Sequence, residues 1–448
     1  MILPEQLLKY IDSKSIDLVN SILTIENPKS EPQNLKGSII EKTSIDLSSK
    51  IDTSQDLRFF LVDYRGQKNA VWLQEGGSLI GFEDQSFKTY LTFIKSLIRK
   101  SEFASLVSFD FLESETFKWV IDTYKNKKAS MNLSEYLVQE IKESVKTKVY
   151  CFPILYLDIS FFIRLGPVTI KYFKGSDFDE MDEIYEKKNN EKRQSTALRD
   201  MHQGTVVACI EVTAEYERAK EIAFKKCALA VDILKIYSRT FFEPDIPLDF
   251  DIDLRAKTQM NNFIFSHNVG SMEDFTYSMN RSFERATIDE NNIKYMNDLH
   301  LPVIVNFVFS SKSKNELSEM IINAISNFAD ALSTKKIQKR IAEIFTIYES
   351  LLVPNNSSPI LDSLTKYGPK LITNDSEERK ELKKLFQDFY AVRSSLMHHG
   401  LYKSFDMEGL RKLQFCLLLL IIKLIELSQF HQNKSDVLLE IDEAINRA

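Results

Sequence analysis

The C-terminal third of the chain is organised around the segment Tyr390-Ala-Val-Arg393-Ser-Ser-Leu-Met-His398-His399-Gly400. A helix starting near Asp375 fits the pattern that leads into this segment, and Gly400 suits its C-cap because glycine tolerates a left-handed backbone. The sequence therefore predicts a helix with one arginine and two adjacent histidines near its C-terminal end. Its buried face is predicted from apolar residues at helical spacing, namely Leu382, Leu385, Phe389, Val392 and Leu396.

Further helical patterns flank this segment. Apolar repeats predict helices from Leu317 to Leu332, from Ile337 to Leu352 and from Leu410 to Leu424, and a short last helix at about 435–446. The residues Ser313-Lys-Asn-Glu316 match a capping box for the first of these helices. Prolines, asparagines and serines predict a loop over 354–374. Residues 306–448 are therefore predicted to form an all-α helical bundle.

Residues 1–305 combine helical and strand patterns. Short runs rich in β-branched and aromatic residues predict strands at 57–63, 70–73, 151–159, 168–173, 205–212, 263–265 and 303–309. Amphipathic repeats predict helices at about 4–24, 85–100, 114–126, 133–147 and 214–240. We therefore predict an α+β fold, in which this N-terminal mixed α/β region forms either one domain or two with a break near 149.

The composition is ordinary for a globular protein, with 44% hydrophobic and 27% charged residues. The net charge of −6 confines any nucleic-acid contact to a local basic patch. The apolar run 415–422 is interrupted by Lys423 and Glu426 and is shorter than the roughly 20 residues of a membrane span. It predicts a bundle-core helix, so no membrane association is expected.

Cysteine and histidine spacing argues against a metal site. No cysteines form a CxxC pair, and the histidines outside the segment above have no partners at ligand spacing. We expect no metal and no cofactor, and reduced thiols in a cytoplasmic protein. The four cysteines are Cys151, Cys209, Cys227 and Cys416.

Arg393 and His398 are suited to cutting RNA without a metal. An imidazole can take the proton of an RNA 2′-hydroxyl, and a guanidinium can stabilise the charge that develops on the attacked phosphate. On a regular helix a five-residue step places the two side chains about 140° apart. One site then requires a helix end or bend between them, or a second subunit. In the non-functional alternative, Arg393 is a surface cation and the histidines cap the last carbonyls.

Two further features bear on the same chemistry. Lys335, Lys336, Lys339 and Arg340 cluster at the start of one predicted helix. They can attract an RNA backbone, or they can be the solvated end of a helix. Asp388, about one turn before Arg393, can pair with it or face solvent.

The C-terminal bundle resembles HEPN domains, especially their ApeA-like branch. Arg393-Ser394 and His399-Gly400 match the two halves of that family's motif, and His398 lies at the shorter permitted gap. His398 is favoured over His399 as the proton-transfer residue. The segment around Glu349 resembles the earlier helix of such domains, which implies that Glu349 orients or supports the motif.

The resemblance implies a metal-independent endoribonuclease that leaves 2′,3′-cyclic phosphate ends and acts as a homodimer in anti-phage defence or toxin-like growth arrest. The N-terminal region would then sense a phage or host trigger or restrain the nuclease. One alternative is a non-catalytic HEPN module that binds RNA, nucleotide or a partner protein as a scaffold. Another is the antitoxin-like or nucleotidyltransferase-partner role found elsewhere in the superfamily.

Overall fold

The structure is a computed structural model with an α+β fold, in which sheets and helices are followed by an all-helical C-terminal region. By its internal contacts the chain divides into two units, one formed by 1–148 and 211–223, the other by 149–210 and 224–448. The residues that the structure describes are 4–26, 39–41, 57–62, 67–75, 77–177, 179, 203–246, 248, 250–252, 262–268, 271–278, 286–310, 315–355, 357–400 and 403–447.

The first unit contains an antiparallel sheet and several helices. Its strands are β1 (Leu23–Glu26), β2 (Ile39–Glu41), β3 (Leu57–Val62), β4 (Lys68–Glu75) and β5 (Ser78–Glu83), in the order β1-β5-β4-β3-β2. Its helices span Glu5–Asn20, Asp84–Ile98, Ser101–Ala104, Phe109–Asn126 and Leu133–Ser144. The predicted helices and strands of this region are therefore confirmed, with shifts of a few residues at their ends.

Aromatic packing joins the sheet of the first unit to its helices. Phe82 on β5 stacks on Tyr90 of the helix Asp84–Ile98, with ring centroids 4.8 Å apart. Phe117 meets both rings edge-on. Burying an aromatic side chain contributes about 1.5–3 kcal/mol, so this cluster is a principal source of stability for the unit.

From residue 146 onward the described strands are β6 (Lys146–Leu155), β7 (Leu157–Ile159), β8 (Ile163–Leu165), β9 (Val168–Tyr172), β10 (Val206–Ala214), β11 (Asp251–Ile252), β12 (Asn262–Asn268), β13 (Ser271–Ser278) and β14 (Ala286–Ile288). Five of them form a sheet of order β11-β6-β10-β9-β8, most of whose residues belong to the second unit. The strands β12 and β13 pair as an antiparallel hairpin, while β7 and β14 pair in parallel. The predicted strand 151–159 is divided at Tyr156, whose φ of +60° interrupts extended pairing.

Helices make up the rest of this unit and all of its C-terminal part. Tyr348 donates a hydrogen bond to the carbonyl of Leu413 (2.8 Å), and the buried Gln414 donates to the carbonyl of Phe241 (2.9 Å). The first bond joins two helices of the bundle, and the second joins the bundle to the short helix Arg239–Phe242, 173 residues earlier in the chain. The helices span Tyr216–Ile236, of which residues 224–236 belong to this unit, Arg239–Phe242, Glu290–Asp298, Leu301–Phe309, Glu316–Leu332, Ile337–Leu352, Ile360–Ile372, Ser376–His399, Met407–Leu427 and Lys434–Arg447.

The predicted strand at 303–309 is wrong, because this run belongs to the helix Leu301–Phe309. A short, uniformly apolar run has no periodicity that separates a buried strand from a buried helix. Pro302 in the first turn favours the helix, since its missing N–H has no partner to lose there. The buried residues Leu301, Ile304 and Val308 recur at helical spacing.

The predicted loop at 354–374 is also wrong in part, because it contains the helix Ile360–Ile372. Proline at position 369 lies inside this helix and removes one backbone hydrogen bond. The burial of Leu364, Tyr367 and Leu371 on one face offsets that loss.

The helix Glu316–Leu332 begins differently from the prediction. Asn315 is its N-cap and accepts a hydrogen bond from the backbone N–H of Ser318 (2.8 Å). Ser313, the predicted cap, lies outside the described residues. The predicted apolar core helix is the helix Met407–Leu427. In the described part of the chain, no helix combines the length and apolar character needed to span a membrane.

Candidate functional site

The histidine-bearing helix predicted from the sequence is the helix Ser376–His399, here called the motif helix. Asp375 caps its start by accepting hydrogen bonds from the backbone N–H groups of Glu377 (2.9 Å) and Glu378 (2.8 Å). Gly400 ends it with φ of +63° and donates its N–H to the carbonyl of Leu396 (3.0 Å). The predicted start and C-cap are therefore confirmed.

Arg393 is held against the neighbouring helix Ile337–Leu352 by Glu349. Its Nη2 donates a hydrogen bond to Glu349 Oε2 (3.2 Å), and Oε1 lies 3.0 Å from the same nitrogen without hydrogen-bond alignment. Their side chains are 15% and 19% exposed, so the pair is partly shielded but still reachable from solvent. Asp388, the alternative partner in the sequence, is exposed. The structure thus brings together Arg393 and Glu349, which are 44 residues apart.

Tyr390 is part of this site and was not anticipated. The Arg393 Cζ lies 5.6 Å from the centre of the Tyr390 ring, and that ring packs edge-on against Phe345, with centroids 5.9 Å apart. A guanidinium near an aromatic ring gains cation–π attraction. The three-residue step from Tyr390 to Arg393 was the available sequence signal, because such residues are neighbours on a helix.

Burial sets the protonation behaviour of Glu349. Its pKa is raised above the usual value because burial disfavours the carboxylate, while the charge of Arg393 acts in the opposite direction. Glu349 therefore binds a proton more readily than an exposed carboxylate does, and the charge of Arg393 limits that tendency.

His398 lies apart from this pair. The motif helix is α-helical from Ser376 to His399 without interruption, so the helix end at Gly400 comes after both Arg393 and His398. A five-residue step on such a helix separates two side chains by about 140° around the axis. Arg393 accordingly faces the Glu349 helix, whereas His398 is exposed. His399 is the last helical residue, and its side chain lies outside the described part of the structure.

The predicted basic cluster does not form one surface. Lys335, Lys336 and Lys339 are exposed, and Lys339 pairs with Glu343 (3.5 Å). Arg340 is only 1% exposed. Its Nη1 donates to the carbonyl of Pro244 (2.6 Å), and its Nε and Nη2 donate to that of Thr334 (3.2 and 3.0 Å). The inclusion of Arg340 among RNA-contacting residues is therefore corrected, because its donors are used inside the fold.

The remaining observations concern metals and known proteins. Across the described ranges, no group of three or more His, Cys, Asp or Glu side chains is placed to hold a metal ion. Comparisons with protein-family models, with curated proteins and with solved structures found no match to this chain.

Proposed function

We propose that this protein is a metal-independent endoribonuclease of the HEPN type. The observation that carries the proposal is the Arg393–Glu349 pair, held on the motif helix that also bears the exposed His398. This arrangement supplies a fixed cation for phosphate and an accessible imidazole for proton transfer. Its biological role would be anti-phage defence or toxin-like growth arrest.

Each residue has a distinct role in the proposed reaction. His398, or His399 in its place, takes the proton of the 2′-hydroxyl, which then attacks the adjacent phosphate. Arg393 stabilises the charge on the phosphate oxygens. A guanidinium has five N–H donors, and the bond to Glu349 engages Nη2, so the pair can fix the orientation of Arg393 while other donors contact phosphate.

The divergence of Arg393 and His398 on one uninterrupted helix supports a homodimer as part of this proposal. A two-fold axis beside the motif helix would place Arg393 of one copy near His398 of the other and create two equivalent composite sites. Met397, which is 60% exposed next to His398, supplies apolar surface for such a contact. The N-terminal region would sense the trigger, and Lys335, Lys336 and Lys339 would attract the RNA backbone.

Mixing inactive variants tests the composite site. Arg393→Ala and His398→Ala should each be inactive alone. When the two variants are unfolded and refolded together, half of the dimers contain one subunit of each variant. In such a mixed dimer one of the two sites has both an intact Arg393 and an intact His398. About a quarter of wild-type cleavage should return, by the statistics of a two-fold dimer. The shared site would be contradicted if cleavage activity returned with no detectable dimer, or if no activity returned although mixed dimers formed.

The assay itself is RNA cleavage in EDTA, with analysis of the product ends. Cyclic phosphate and 5′-hydroxyl ends are expected. His431→Ala is a matched control, because His431 is paired with Glu440 (2.7 Å) away from the motif helix. Full activity in both Arg393→Ala and His398→Ala would overturn the catalytic assignment.

A non-catalytic HEPN module that binds RNA, nucleotide or protein is the second candidate. It is favoured by the same divergence, because within one chain Arg393 is already paired with Glu349 while His398 lies on another side of the helix. Saturable RNA binding that is weakened by Arg393→Ala, with no cleavage under any condition that permits binding, would select this candidate.

A further inference from the structure

Two cysteines far apart in the sequence meet in the sheet of the second unit. Cys151 lies on β6 and Cys209 on β10, and these strands are neighbours. The Cys209 thiol donates a hydrogen bond to Cys151 Sγ, with the two sulfur atoms 2.7 Å apart. The 58-residue separation hid this pair from spacing arguments, which consider short motifs.

Neighbouring strands hold these cysteines at a separation that a disulfide can bridge. The side-chain contacts Thr147–Thr213 (2.7 Å) and Cys151–Cys209 run in opposite directions along β6 and β10, so these strands are antiparallel and the two cysteines face each other. Facing Cα atoms on paired antiparallel strands are roughly 4.5–5.5 Å apart, and protein disulfides span Cα separations of roughly 4.4–6.8 Å. Small rotations about the side-chain bonds would therefore suffice to join the two sulfur atoms, and the sheet would not have to open.

The surroundings make the two thiols unequal. Cys151 is partly exposed, whereas Cys209 is buried with Val207 and Phe173. The pKa of Cys151 is lowered, chiefly by the hydrogen bond from Cys209 and also by the charge of Lys171, while burial acts against this. The pKa of Cys209 is raised, because its proton is held by Cys151 and it is buried. Cys151 is therefore the more reactive sulfur.

The other two cysteines provide an internal contrast. Burial raises the pKa of Cys227 and of Cys416 to about 12, and both side chains are inaccessible. Cys227 directs its thiol to the carbonyl of Ala208 (3.6 Å). Accessibility and a neighbouring thiol thus distinguish Cys151 from both.

We propose that Cys151 and Cys209 form a dithiol site that low-molecular-weight disulfides, of the glutathione disulfide class, convert to an intrachain disulfide. The Cys151 thiolate attacks one sulfur of the reagent, forms a mixed disulfide and releases one thiolate. Cys209 then loses its proton and attacks Cys151 Sγ, which releases the second thiolate. The protein dithiol is oxidised, and one reagent disulfide is reduced to two thiols.

The test treats the full-length reduced protein with glutathione disulfide and maps its peptides without reduction. The expected product is a linked pair of peptides containing Cys151 and Cys209, which separates again with dithiothreitol. Cys227 and Cys416 should remain alkylatable after unfolding. Iodoacetamide should modify Cys151 of the reduced, folded protein at least about tenfold faster than Cys227, because the thiolate is the nucleophile.

Single variants separate the two steps. Cys209→Ala should accumulate the glutathione adduct on Cys151, whereas Cys151→Ser should take up no glutathione. Cys416→Ser is the matched control and should cross-link like the wild type. Wild-type protein that stays fully reduced, or stops at the Cys151 adduct, would overturn the proposal. This wild-type result does not depend on how well any variant folds, or on nuclease activity.

Discussion

The two ends of the helix Ile337–Leu352 use arginine in opposite ways. Near its start, Arg340 is buried and gives its donors to the carbonyls of Pro244 and Thr334. Near its end, Glu349 holds Arg393 of the motif helix in a pair that solvent can still reach. Both arginines are ordered by contacts, but only one of them keeps access to a ligand.

This difference shows what distinguishes a structural arginine from a candidate functional one. Arg340 donates to neutral carbonyl groups, and burial lowers its pKa to about 10 although the charge of Glu343 acts in the opposite direction. Arg393 has a carboxylate partner and an aromatic neighbour, Tyr390, which together fix its position at the surface. The sequence makes both arginines candidates for RNA contact, Arg393 through its motif and Arg340 through a basic cluster, and burial and the kind of partner separate them.

The largest expected effect is the loss of cleavage in Arg393→Ala. If Arg393 stabilises the transition state, the rate of RNA cleavage should fall by about 10³-fold, or roughly 4 kcal/mol of activation free energy. Single-turnover cleavage in EDTA measures it. Arg411→Ala is the control, because it removes an exposed arginine paired with Glu408. An equal loss in both variants would show that Arg393 has no special role.

The second effect concerns stability rather than activity. Arg340→Ala should lower the free energy of unfolding by about 3 kcal/mol, because it leaves buried carbonyls without donors and opens a cavity. Urea denaturation measures this change. Lys339→Ala, one residue earlier and exposed, should differ from wild type by less than about 0.5 kcal/mol. Similar stabilities for the two variants would break the contrast between the helix ends.

The end of the motif helix gives a smaller effect. Gly400→Ala should cost about 1 kcal/mol of unfolding free energy, because a side chain at φ of +63° is strained. An added Cβ would meet no atom within 4 Å, so the loss is conformational and not steric. Gly400→Asn should recover part of the loss, since asparagine tolerates this conformation better. Thermal unfolding of the three proteins compares them.

The smallest expected effect is the pH dependence contributed by Glu349. Its folded-state pKa is above the unfolded value, so folding favours the protonated form. The burial cost is present above the folded-state pKa and disappears as pH falls toward the unfolded value. Wild type should therefore gain stability relative to Glu349→Gln as pH falls from neutral to acidic, by less than the other effects above. Urea titrations at both pH values measure the gain, and an opposite trend would show that Arg393 dominates.

Local signals predicted the site better than the surrounding packing. The motif helix follows from its apolar repeat, Asp375 and Gly400, all of which act within a few residues. The pairing of Arg393 with Glu349 was foreseen only as an implication of the family resemblance. The divergence of His398 and Arg393 around the helix followed from helix geometry. The composite site, in which a second subunit brings the two side chains together, is a proposal.

What could not be predicted depends on distant partners. The burial of Arg340 is determined by the carbonyl of Pro244, 96 residues earlier. The meeting of Cys151 and Cys209 depends on the order of strands in a sheet, which spacing does not encode. In the helix Leu301–Phe309 the spacing of apolar residues did not distinguish a helix from a strand. In the helix Ile360–Ile372 the burial of apolar side chains outweighed the hydrogen bond lost at Pro369.

The bonds from Gln414 and Arg340 to the turn around Phe241 and Pro244 limit how the bundle can be transferred to another protein as a separate domain. Two buried polar side chains of the bundle bind carbonyl groups of a segment that lies far earlier in the chain. A gene fusion that transferred only residues 306–448 would deprive the Gln414 amide N–H of its acceptors and Arg340 Nη1 of the Pro244 carbonyl. It would also begin inside the helix Leu301–Phe309. Residues 306–448 are therefore not a self-sufficient domain. A transfer of the bundle to another protein would have to include the segment around Phe241 and Pro244.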